Sequence, residues 1–523
     1  MSCRLSLIYP YCNAQRPPRM LHLVPARRSR SSTTTRPWFY AAAVSTLFPT
    51  RPTTVAERAA SGKAVRAQHP RSALGHYSPG SDRPDPVSLL AAQETDRIQA
   101  LLPLRHQRMA VNPFAFLRGA AAIMANDLGS MPNSGLRVQL CGDAHLSNLG
   151  LFAGPDRELV FDLNDFDETN PGPFEWDVQR LATSFQVAAT AAGHPADVAT
   201  SLPRLVATAY RTTMASFAAM NDLDVWYYRI DASLLQQWAQ QSGSKAGEKA
   251  WEKTEATATA KDRWSAVKSL TTVVDGQRRF KDEPPLLTSL TTDERSREVI
   301  AGMFESYRTG LLIDRSHLLG RYRFVDAGHK VVGVGSVGLL AFVLLLQGRD
   351  DDDLLVLQLK QAVTSVLEPF TAPSRFTTHG KRVVAGQRLM QAATDAFLGS
   401  TEGPDRSYYV RQLRDMKWSP DPLKMNKDGY ATYAGLCGAA LARAHARSGD
   451  SVAIAAYLGS GEAFDRAIQA FSDAYSQQNA ADFTTYTAAI ASGAVSVPAK
   501  GAATTAIRLD SSDGTSVRVT SAP

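Results

Sequence analysis

The sequence predicts an α+β fold in which a large helical lobe accompanies a small lobe built on an antiparallel sheet. Several long segments repeat apolar residues at helical spacing, among them Asn112 to Leu128 and Leu202 to Met220. Strand-like runs are confined to residues 136–162 and 322–359. Short strands that cluster apart from the helical segments are typical of α+β proteins, whereas a regular alternation of strand and helix would indicate a parallel sheet.

Composition and charge limit the class of protein. Of the 523 residues, 44% are hydrophobic and 20% are charged, which is the composition of a globular protein. The net charge of +7 comes from residues 1–72, which hold twelve Lys and Arg against one acid, because the remaining residues hold 45 against 49. The folded body therefore lacks the positive charge typical of nucleic-acid binding. The longest apolar run, Val337 to Leu346, is too short to span a bilayer, so no membrane span is expected.

The chain divides into five predicted segments. Residues 1–72 and 497–523 are predicted to be disordered tails, because they are rich in small and polar residues and lack apolar periodicity. Residues 73–318 and 416–496 make up the helical lobe, and residues 319–415 make up the small β lobe. Four cysteines without CxxC spacing exclude a zinc ribbon and a disulfide scaffold and favour the cytoplasm. The basic N-terminal tail, which contains an apolar stretch, leaves a targeting segment as the alternative.

The segment 141–168 carries polar residues suited to phosphoryl transfer. Asp143 and Asn148 lie in a loop after a short strand, and Asp162 ends an apolar strand further along. Phosphoryl transfer needs a base for the acceptor hydroxyl, and it needs an amide and a carboxylate that hold Mg²⁺ on the nucleotide phosphates. Asp143 is therefore the predicted base, and Asn148 and Asp162 are predicted metal ligands.

The choice among the acids that follow the strand is open. Asp165 is a further candidate metal ligand, as is Asp167, but the position at the strand end favours Asp162. A solvated acidic turn is the alternative for the whole group. The apolar residues Leu159 to Phe161 speak against that alternative, because they would deliver Asp162 from the interior.

This loop resembles the catalytic loop of the aminoglycoside-phosphotransferase-like kinases, which reads His-Gly-Asp-x-His-x-x-Asn. The matching residues are Gly142, Asp143, His145 and Asn148. Cys141 stands where the first histidine of the pattern would be. The resemblance implies a catalytic Asp143 with His145 beside it. It also implies that Asp177, in a following segment that resembles another element of those kinases, braces the loop.

A glycine-rich segment lies far downstream of this loop. Residues 332–338 read VGVGSVG and fit the pattern GxGxxG. A strand-like run follows, which favours a hairpin over nucleotide phosphates and counts against the helix of a dinucleotide-binding turn. The residues predicted to bind the nucleotide here are Gly333, Gly335, Ser336 and Gly338. Lys360 ends the next apolar strand, where an unpaired ammonium would be costly, so we expect it to bind the α and β phosphates of ATP. A solvent-facing lysine on an edge strand is the alternative.

These parts occur in a rotated order relative to kinases. The loop of Asp143 comes first, Lys360 comes later, and residues 441–450 resemble the helix that normally precedes a kinase catalytic loop. A circularly permuted, kinase-like two-lobed fold would produce this order, and permutation is tolerated when the original termini lie close together at the surface. One triphosphate must then touch both Lys360 and Asp162, whose side chains we expect within roughly 10 Å of each other.

The stretch from about Ala56 to Gly493 resembles the bacterial domain-of-unknown-function 2252 family. The motifs that carry the resemblance are NPFAFLRGAAAIMANDL, VQLCGDAHLSNLGLF, LVFDLNDFDETNPGPFEWDVQRLA, VGVGSVG, GQRLMQAATDAFLG, YYVRQLRDMK and LARAHARSGD. The family's activity is unassigned, so the resemblance adds no function. It implies a glutamate where this chain has Ala385, and the site is impaired if that glutamate pairs with the lysine. Glu368 is the nearest acid downstream that could pair with Lys360.

Together these features predict an ATP- and Mg²⁺-dependent phosphotransferase that acts on an unidentified small-molecule acceptor. A nucleotide-binding pseudokinase or an adenylyl transferase of the same fold is one alternative. A metal-dependent phosphohydrolase is another, and it would be built on Asp143, His145, Asp162 and Asp165. A hydrolase has no need of Lys360 or the glycine-rich segment. Arg118 and His145 are expected to shape the loop or to contact the substrate.

Overall fold

The computed structural model confirms a mixed α+β fold with an antiparallel sheet. It describes residues 54–241, 245–261, 263–290, 294–413, 416–498, 507–510 and 518–521. The helices are α1 (Val55–Gln68), α2 (Pro86–Glu94), α3 (Leu102–Met109), α4 (Pro113–Gly119), α5 (Ala121–Ser130), α6 (Phe174–Ala191), α7 (Ala196–Ala218), α8 (Asp222–Tyr227), α9 (Ala232–Gln241), α10 (Lys245–Ala260), α11 (Arg263–Leu270), α12 (Glu294–Thr309), α13 (Ile313–Leu319), α14 (His379–Met390), α15 (Lys427–Ser448), α16 (Ser451–Leu458) and α17 (Ala463–Ala491). The strands are β1 (Arg137–Leu140), β2 (Leu149–Ala153), β3 (Leu159–Leu163), β4 (Asn170–Pro173), β5 (Thr271–Val274), β6 (Gln277–Phe280), β7 (Leu287–Ser289), β8 (Arg323–Lys330), β9 (Ala341–Gln347), β10 (Leu354–Ala362), β11 (Gly399–Glu402), β12 (Ser407–Gln412), β13 (Ile507–Asp510) and β14 (Arg518–Ser521).

Six strands form one antiparallel sheet in the order β11-β12-β10-β9-β8-β7. The central strands β9 and β10 are mostly apolar and are buried along their whole length, which is the pattern of strands covered on both faces. On one face Leu344 packs in a cluster with Ile300 of α12, and on the other Val343 packs with Val267 of α11. Lys360 lies in this buried β10, directly opposite Ala341 of β9.

The long helices α6, α7, α15 and α17 pack against one another and form the helical part of the molecule. Their packing is close: a Cβ at Gly438 of α15 would lie 2.5 Å from the backbone oxygen of Val206 in α7. Two short antiparallel pairs, β1 with β4 and β2 with β3, adjoin these helices. Among the helices that the structure describes, none combines the length and apolar composition of a bilayer span.

The prediction of a disordered N-terminal tail is wrong for its last part, where α1 forms. Thr54 and Glu57 begin this helix with a reciprocal capping box. Gly62 is buried against α16, where a Cβ would lie 2.0 Å from the carbonyl oxygen of Ala453. The helix thus docks through close backbone approach and lacks the periodic apolar face that would have revealed it in the sequence. Residues 1–53 lie outside the described part of the chain.

The prediction of disorder near the C-terminus is also wrong in part. Strands β13 and β14 pair antiparallel, with Ile507 opposite Ser521. Four-residue strands among Ala, Ser and Thr give too weak a pattern to be recognised in the sequence. The remainder of residues 499–523 lies outside the described residues.

Candidate active site

One cavity collects most of the residues that the sequence analysis singled out. It has a volume of about 190 Å³ and lies where the loop after β1, the segment after β3 and the loop between β8 and β9 meet. The predicted site residues that line it are Arg118, Asp143, His145, Asn148, Asp165, Asp167, Gly333, Gly335 and Ser336. Pockets that bury a whole drug-sized ligand occupy roughly 300–1,000 Å³, so this cavity fits the charged end of a ligand and not an entire nucleotide.

The loop after β1 has its backbone fixed by Asp177 of α6. The carboxylate of Asp177 accepts hydrogen bonds from the N–H groups of Cys141 and Gly142 at 2.7 and 3.0 Å. Gly142 has a φ of +85°, and a Cβ there would lie 2.3 Å from the carbonyl oxygen of Glu168, so this turn requires glycine. The predicted role of Asp177 as a brace for the loop is confirmed.

The carboxylate of Asp143 faces the cavity and is held in place by an ion pair. The guanidinium of Arg180, in α6, contacts one carboxylate oxygen at 2.5 Å. The side chain of Arg180 is 3% exposed, whereas that of Asp143 is 24% exposed. The Nε2 atom of His145 lies 3.8 Å from the other oxygen. A carboxylate held at one oxygen and accessible at the other is placed to accept a proton from a hydroxyl group in the cavity.

His145 is buried beside Asp143 as a neutral imidazole. Burial lowers the pKa of His145 to about 4, although the charge of Asp143 opposes this shift. The ring packs edge-on against Phe114, with 6.3 Å between ring centroids. Nδ1 is enclosed and has no hydrogen-bond partner among the described residues. This geometry favours the predicted loop-shaping role over proton transfer.

Asn148 joins the two parts of the chain that carry the acids. Its side-chain amide nitrogen donates to the backbone oxygens of Asp143 and Asp165 at 3.2 and 3.0 Å, which leaves the amide oxygen for a ligand. The side chain of Asp165 is 43% exposed. Burial raises the pKa of Asp165, but the positive charges of Lys360 and Arg411 outweigh it and hold this pKa at about 2. Asp165 is therefore an ionised carboxylate in the cavity near neutral pH.

Asp162, the preferred metal ligand of the sequence analysis, does not line the cavity. Its side chain is 1% exposed and forms an ion pair with Arg443 of α15 at 2.5 Å. Its carboxylate oxygens also accept the backbone N–H groups of Leu163 and Ala392. The buried end of β3 thus faces α15, and Asp162 ties the two elements together. Asp165 and Asp167, beyond the end of the strand, are the candidate acids that line the cavity.

Lys360 lies behind the cavity lining in a buried ion pair. Its ammonium contacts Asp167 closely and lies 3.6 Å from Asp165. Tyr409 of β12 donates its hydroxyl to the other carboxylate oxygen of Asp167 at 2.9 Å. Burial lowers the pKa of Lys360, but the two carboxylates outweigh it and raise the pKa above the usual range of a lysine. The alternative of a solvent-facing lysine is wrong, because this side chain is 2% exposed.

The partner of Lys360 is not the acid that the sequence indicated. Glu368 lies 3.9 Å from Arg382 of α14, and Asp167 is the acid that forms the ion pair with Lys360. The sequence indicates Asp167 only as a candidate metal ligand. The sequence did contain a sign that one of these acids has another role. More acids follow β3 than the one or two carboxylates that a magnesium site of this kind uses.

The glycine-rich loop, residues 331–340, connects β8 to β9, so a strand follows it as predicted. Its backbone oxygens accept hydrogen bonds from the side chains of three arginines. Arg97 donates to Val337, Arg105 donates to Val334 and Gly335, and Arg108 donates to Gly333. Gly338 does not line the cavity; it has a φ of +92°, and a Cβ there would lie 3.0 Å from the side chain of Arg97. The sequence analysis missed these arginines, because no spacing rule links them to a loop that is more than 200 residues away.

Glu168 is a further cavity residue that the sequence analysis did not single out. Its carboxylate accepts the N–H group of Val366 at 2.8 Å. Burial raises the pKa of Glu168 to about 7. Its charge therefore changes near neutral pH, unlike that of Asp165.

The residues present fit a magnesium ion that is bound together with a nucleotide. The part of the chain that the structure describes contains no group of three or more His, Cys, Asp or Glu side chains able to hold a metal ion. In phosphoryl-transfer sites, however, Mg²⁺ is usually held by one or two side chains together with the phosphates of the substrate. Asp165 and the amide oxygen of Asn148 supply oxygen ligands of that kind.

Comparison with known proteins places the chain in a family. The family described as "Uncharacterized protein conserved in bacteria (DUF2252)" matches residues 97–489. This match covers well over half of the chain, which therefore belongs to the family, as the sequence motifs indicated. No curated protein and no solved structure matches the chain. The description of the family gives no activity.

Proposed function

We propose that this family member is an ATP- and Mg²⁺-dependent phosphotransferase that acts on a hydroxyl group of a small-molecule acceptor. The observation that carries the proposal is the contact of Lys360 with Asp165 and Asp167 at the same cavity that Asp143 lines. A lysine for the phosphates, a carboxylate for the metal, a base and a covering loop are the parts that phosphoryl transfer needs. The candidates for the last three line this cavity and Lys360 lies directly behind its lining, although they come from distant parts of the chain.

The surroundings of each group support its proposed role. Asp143, oriented by Arg180, accepts the proton of the acceptor hydroxyl as the new oxygen–phosphorus bond forms and the bond to ADP breaks. Lys360 exchanges part of its contact with Asp167 for oxygens of the α and β phosphates. Asp165 and Asn148 would hold the Mg²⁺, which would neutralise charge on the phosphates. The glycine-rich loop covers the phosphates and limits the access of water.

We also propose that the fold is kinase-like, two-lobed and circularly permuted. The antiparallel sheet carries both the glycine-rich loop and Lys360, and α14 packs against its strands β10 and β12. Helix α15 follows the sheet in the chain but contacts β1 and β3, on either side of the loop of Asp143. In the unpermuted order of a kinase, a helix in the position of α15 would lead into the catalytic loop.

The geometry gives less support to a metal-dependent phosphohydrolase. That enzyme would need Asp162 beside Asp143 and Asp165, but Asp162 is enclosed with Arg443. It would also have no use for Lys360, whose burial against two carboxylates is an expensive arrangement to maintain. An adenylyl transferase or a pseudokinase would use the same groups as the phosphotransferase, so these alternatives differ in the products they form.

Two labelled nucleotides separate these possibilities. The protein is incubated with Mg²⁺ and a mixture of small hydroxyl compounds, once with ATP labelled at the γ phosphate and once with ATP labelled at the α phosphate. We expect label to move to an acceptor from the γ phosphate only. Transfer from the α phosphate would indicate an adenylyl transferase, and release of γ label to water alone would indicate a hydrolase. Lys360→Met should abolish transfer, whereas Lys381→Met, at an exposed position on α14, should not.

A further inference from the structure

Arg118, near the end of α4, is a cavity cation without a protein partner. It lines the cavity, and it makes no hydrogen bond or ion pair with any residue in the described part of the chain. Its Nε atom is enclosed and unpaired. Its guanidinium carbon lies 5.9 Å from the ring centroid of Phe114. The terminal guanidinium nitrogens have no acceptor in the described chain either, and they leave their donors to a ligand in the cavity that Arg118 lines.

The two acids whose charges act on Arg118, Asp143 and Asp165, each have an ion-pair contact with another cation. Asp143 is paired with Arg180, and Asp165 lies 3.6 Å from Lys360. In the described chain Arg118 has an ion-pair contact with neither acid, so its guanidinium is available to a negatively charged ligand at the place where the proposed base acts.

The backbone that carries Arg118 is held rigidly. The carbonyl groups on either side of it accept hydrogen bonds from two arginine side chains. Arg180 donates to the carbonyl oxygen of Leu117 at 2.9 Å, and Arg105 donates to that of Gly119 at 2.8 Å. The first of these arginines also orients Asp143, and the second also holds the glycine-rich loop. The carbonyl oxygen of Arg118 would lie 3.2 Å from a Cβ at Gly335 of that loop. Arg118 is thus fixed between the proposed base and the loop that covers the phosphates.

We propose that Arg118 binds the terminal phosphoryl group of the nucleotide and thereby makes the site prefer a triphosphate to a diphosphate. This inference rests on the proposed phosphotransferase function. The transferred group must lie beside Asp143, because the acceptor hydroxyl meets it there. A guanidinium presents a planar fork of donors that matches phosphate oxygens. An acidic group of the acceptor is the other source of negative charge at this place, and in that case nucleotide affinity would not depend on Arg118.

The test compares the affinities of the full-length protein for ATP and ADP in the presence of Mg²⁺. Arg118→Met should weaken ATP binding about ten- to hundredfold, the range expected for losing a charged hydrogen bond, and should leave ADP binding within about twofold. Arg118→Lys, which keeps the charge but loses the fork, should lie between the wild type and Arg118→Met. Arg466→Met is the matched control, because Arg466 is 63% exposed on α17.

Two outcomes would overturn the inference. An equal loss of ATP and ADP affinity in Arg118→Met would show that Arg118 supports the site as a whole. Unchanged affinity for both nucleotides would show that Arg118 does not contact the nucleotide and would favour an acidic acceptor. If Arg118→Met does not fold, the comparison of Arg118→Lys with the wild type gives the same decision. Absence of ATP binding by the wild-type protein would instead contradict the proposed function itself.

Discussion

Lys360 and Asp167 are separated by 193 positions in the chain and form an ion pair in which Asp167 lines the cavity and Lys360 is buried behind it. Strand β10 delivers the lysine, and the segment after β3 delivers the aspartate. The hydroxyl groups of Tyr409 and Ser336 also reach Asp167, at 2.9 and 3.4 Å. One carboxylate therefore connects the sheet, the glycine-rich loop and the helical part of the molecule. We infer that Asp167 positions Lys360 for the phosphates.

Removing Asp167 should destabilise the protein because it leaves the buried ammonium short of a partner. We expect Asp167→Ala to lower the free energy of unfolding by roughly 3 kcal/mol. Removing both charges in Asp167→Ala/Lys360→Met should cost less than the sum of the two single changes, because no unpaired charge then remains. Chemical denaturation of the four proteins measures this coupling. Strictly additive losses would show that the two side chains do not interact.

Replacing the proposed base should stop turnover without affecting nucleotide affinity. Asp143→Asn keeps the size of the side chain and removes the proton acceptor, so we expect turnover to fall by a factor on the order of 100 or more. Affinity for ATP should stay close to that of the wild type, because a base acts on the acceptor. Turnover close to the wild-type rate in Asp143→Asn would remove this residue from the mechanism.

Asp165 and Asp162 should respond to mutation in opposite ways. Asp165→Ala should weaken Mg²⁺-dependent ATP binding while changing the melting temperature little, because Asp165 is partly exposed in the cavity. Asp162→Ala should lower the free energy of unfolding by roughly 3–5 kcal/mol, because it leaves Arg443 buried without its carboxylate. Binding and melting measurements on both variants check this. The reverse pattern would restore Asp162 as the metal ligand.

Acid should destabilise the fold through His329 of β8. Both ring nitrogens of His329 are enclosed without a partner in the described chain, and burial lowers its pKa from 6.5 to about 4. The unfolded chain therefore binds more protons between pH 6.5 and 4, so stability is complete above this window and falls as the pH falls through it. For one histidine the loss from pH 7 to pH 5 is about 2 kcal/mol.

Replacing His329 should remove its share of this acid sensitivity. His329→Phe should lose less free energy of unfolding between pH 7 and pH 5 than the wild type, and His145, with a pKa also lowered to about 4, would supply part of the remaining loss. His317, which is exposed on α13, provides the control variant His317→Asn, in which the pH dependence should be unchanged. An unchanged pH dependence in His329→Phe would contradict the assignment.

The sequence predicted the parts of the site better than their contacts. The loop of Asp143, the hairpin at residues 331–340 and the burial of Lys360 follow from local patterns of glycine, apolar strand and polar residue. The sequence favours Asp162 over Asp165, but Asp165 lines the cavity and Asp162 does not, because the direction of a side chain at a strand end depends on what packs there. That neighbour is Arg443, which is more than 200 residues away in the chain.

Other contacts of the fold and the site could not be predicted either, because they join segments that are distant in the sequence. Helix α1 docks through Gly62, and small residues that pack by close backbone approach leave no periodic apolar pattern. The arginines that hold the glycine-rich loop, such as Arg105, belong to helices with no motif of their own. Asp167 could be identified as the partner of Lys360 only when both segments were seen together.

The most direct test of the central claim is whether Mg²⁺ and ATP stabilise the protein through Lys360. At an ATP concentration of a hundred times Kd, binding should add about 2.7 kcal/mol to the free energy of unfolding, which thermal unfolding with and without Mg²⁺ detects. We predict this stabilisation in the wild type and in the exposed control Lys381→Met, and its loss in Lys360→Met. No stabilisation of the wild type by ATP and Mg²⁺, or equal stabilisation of Lys360→Met, would contradict the account.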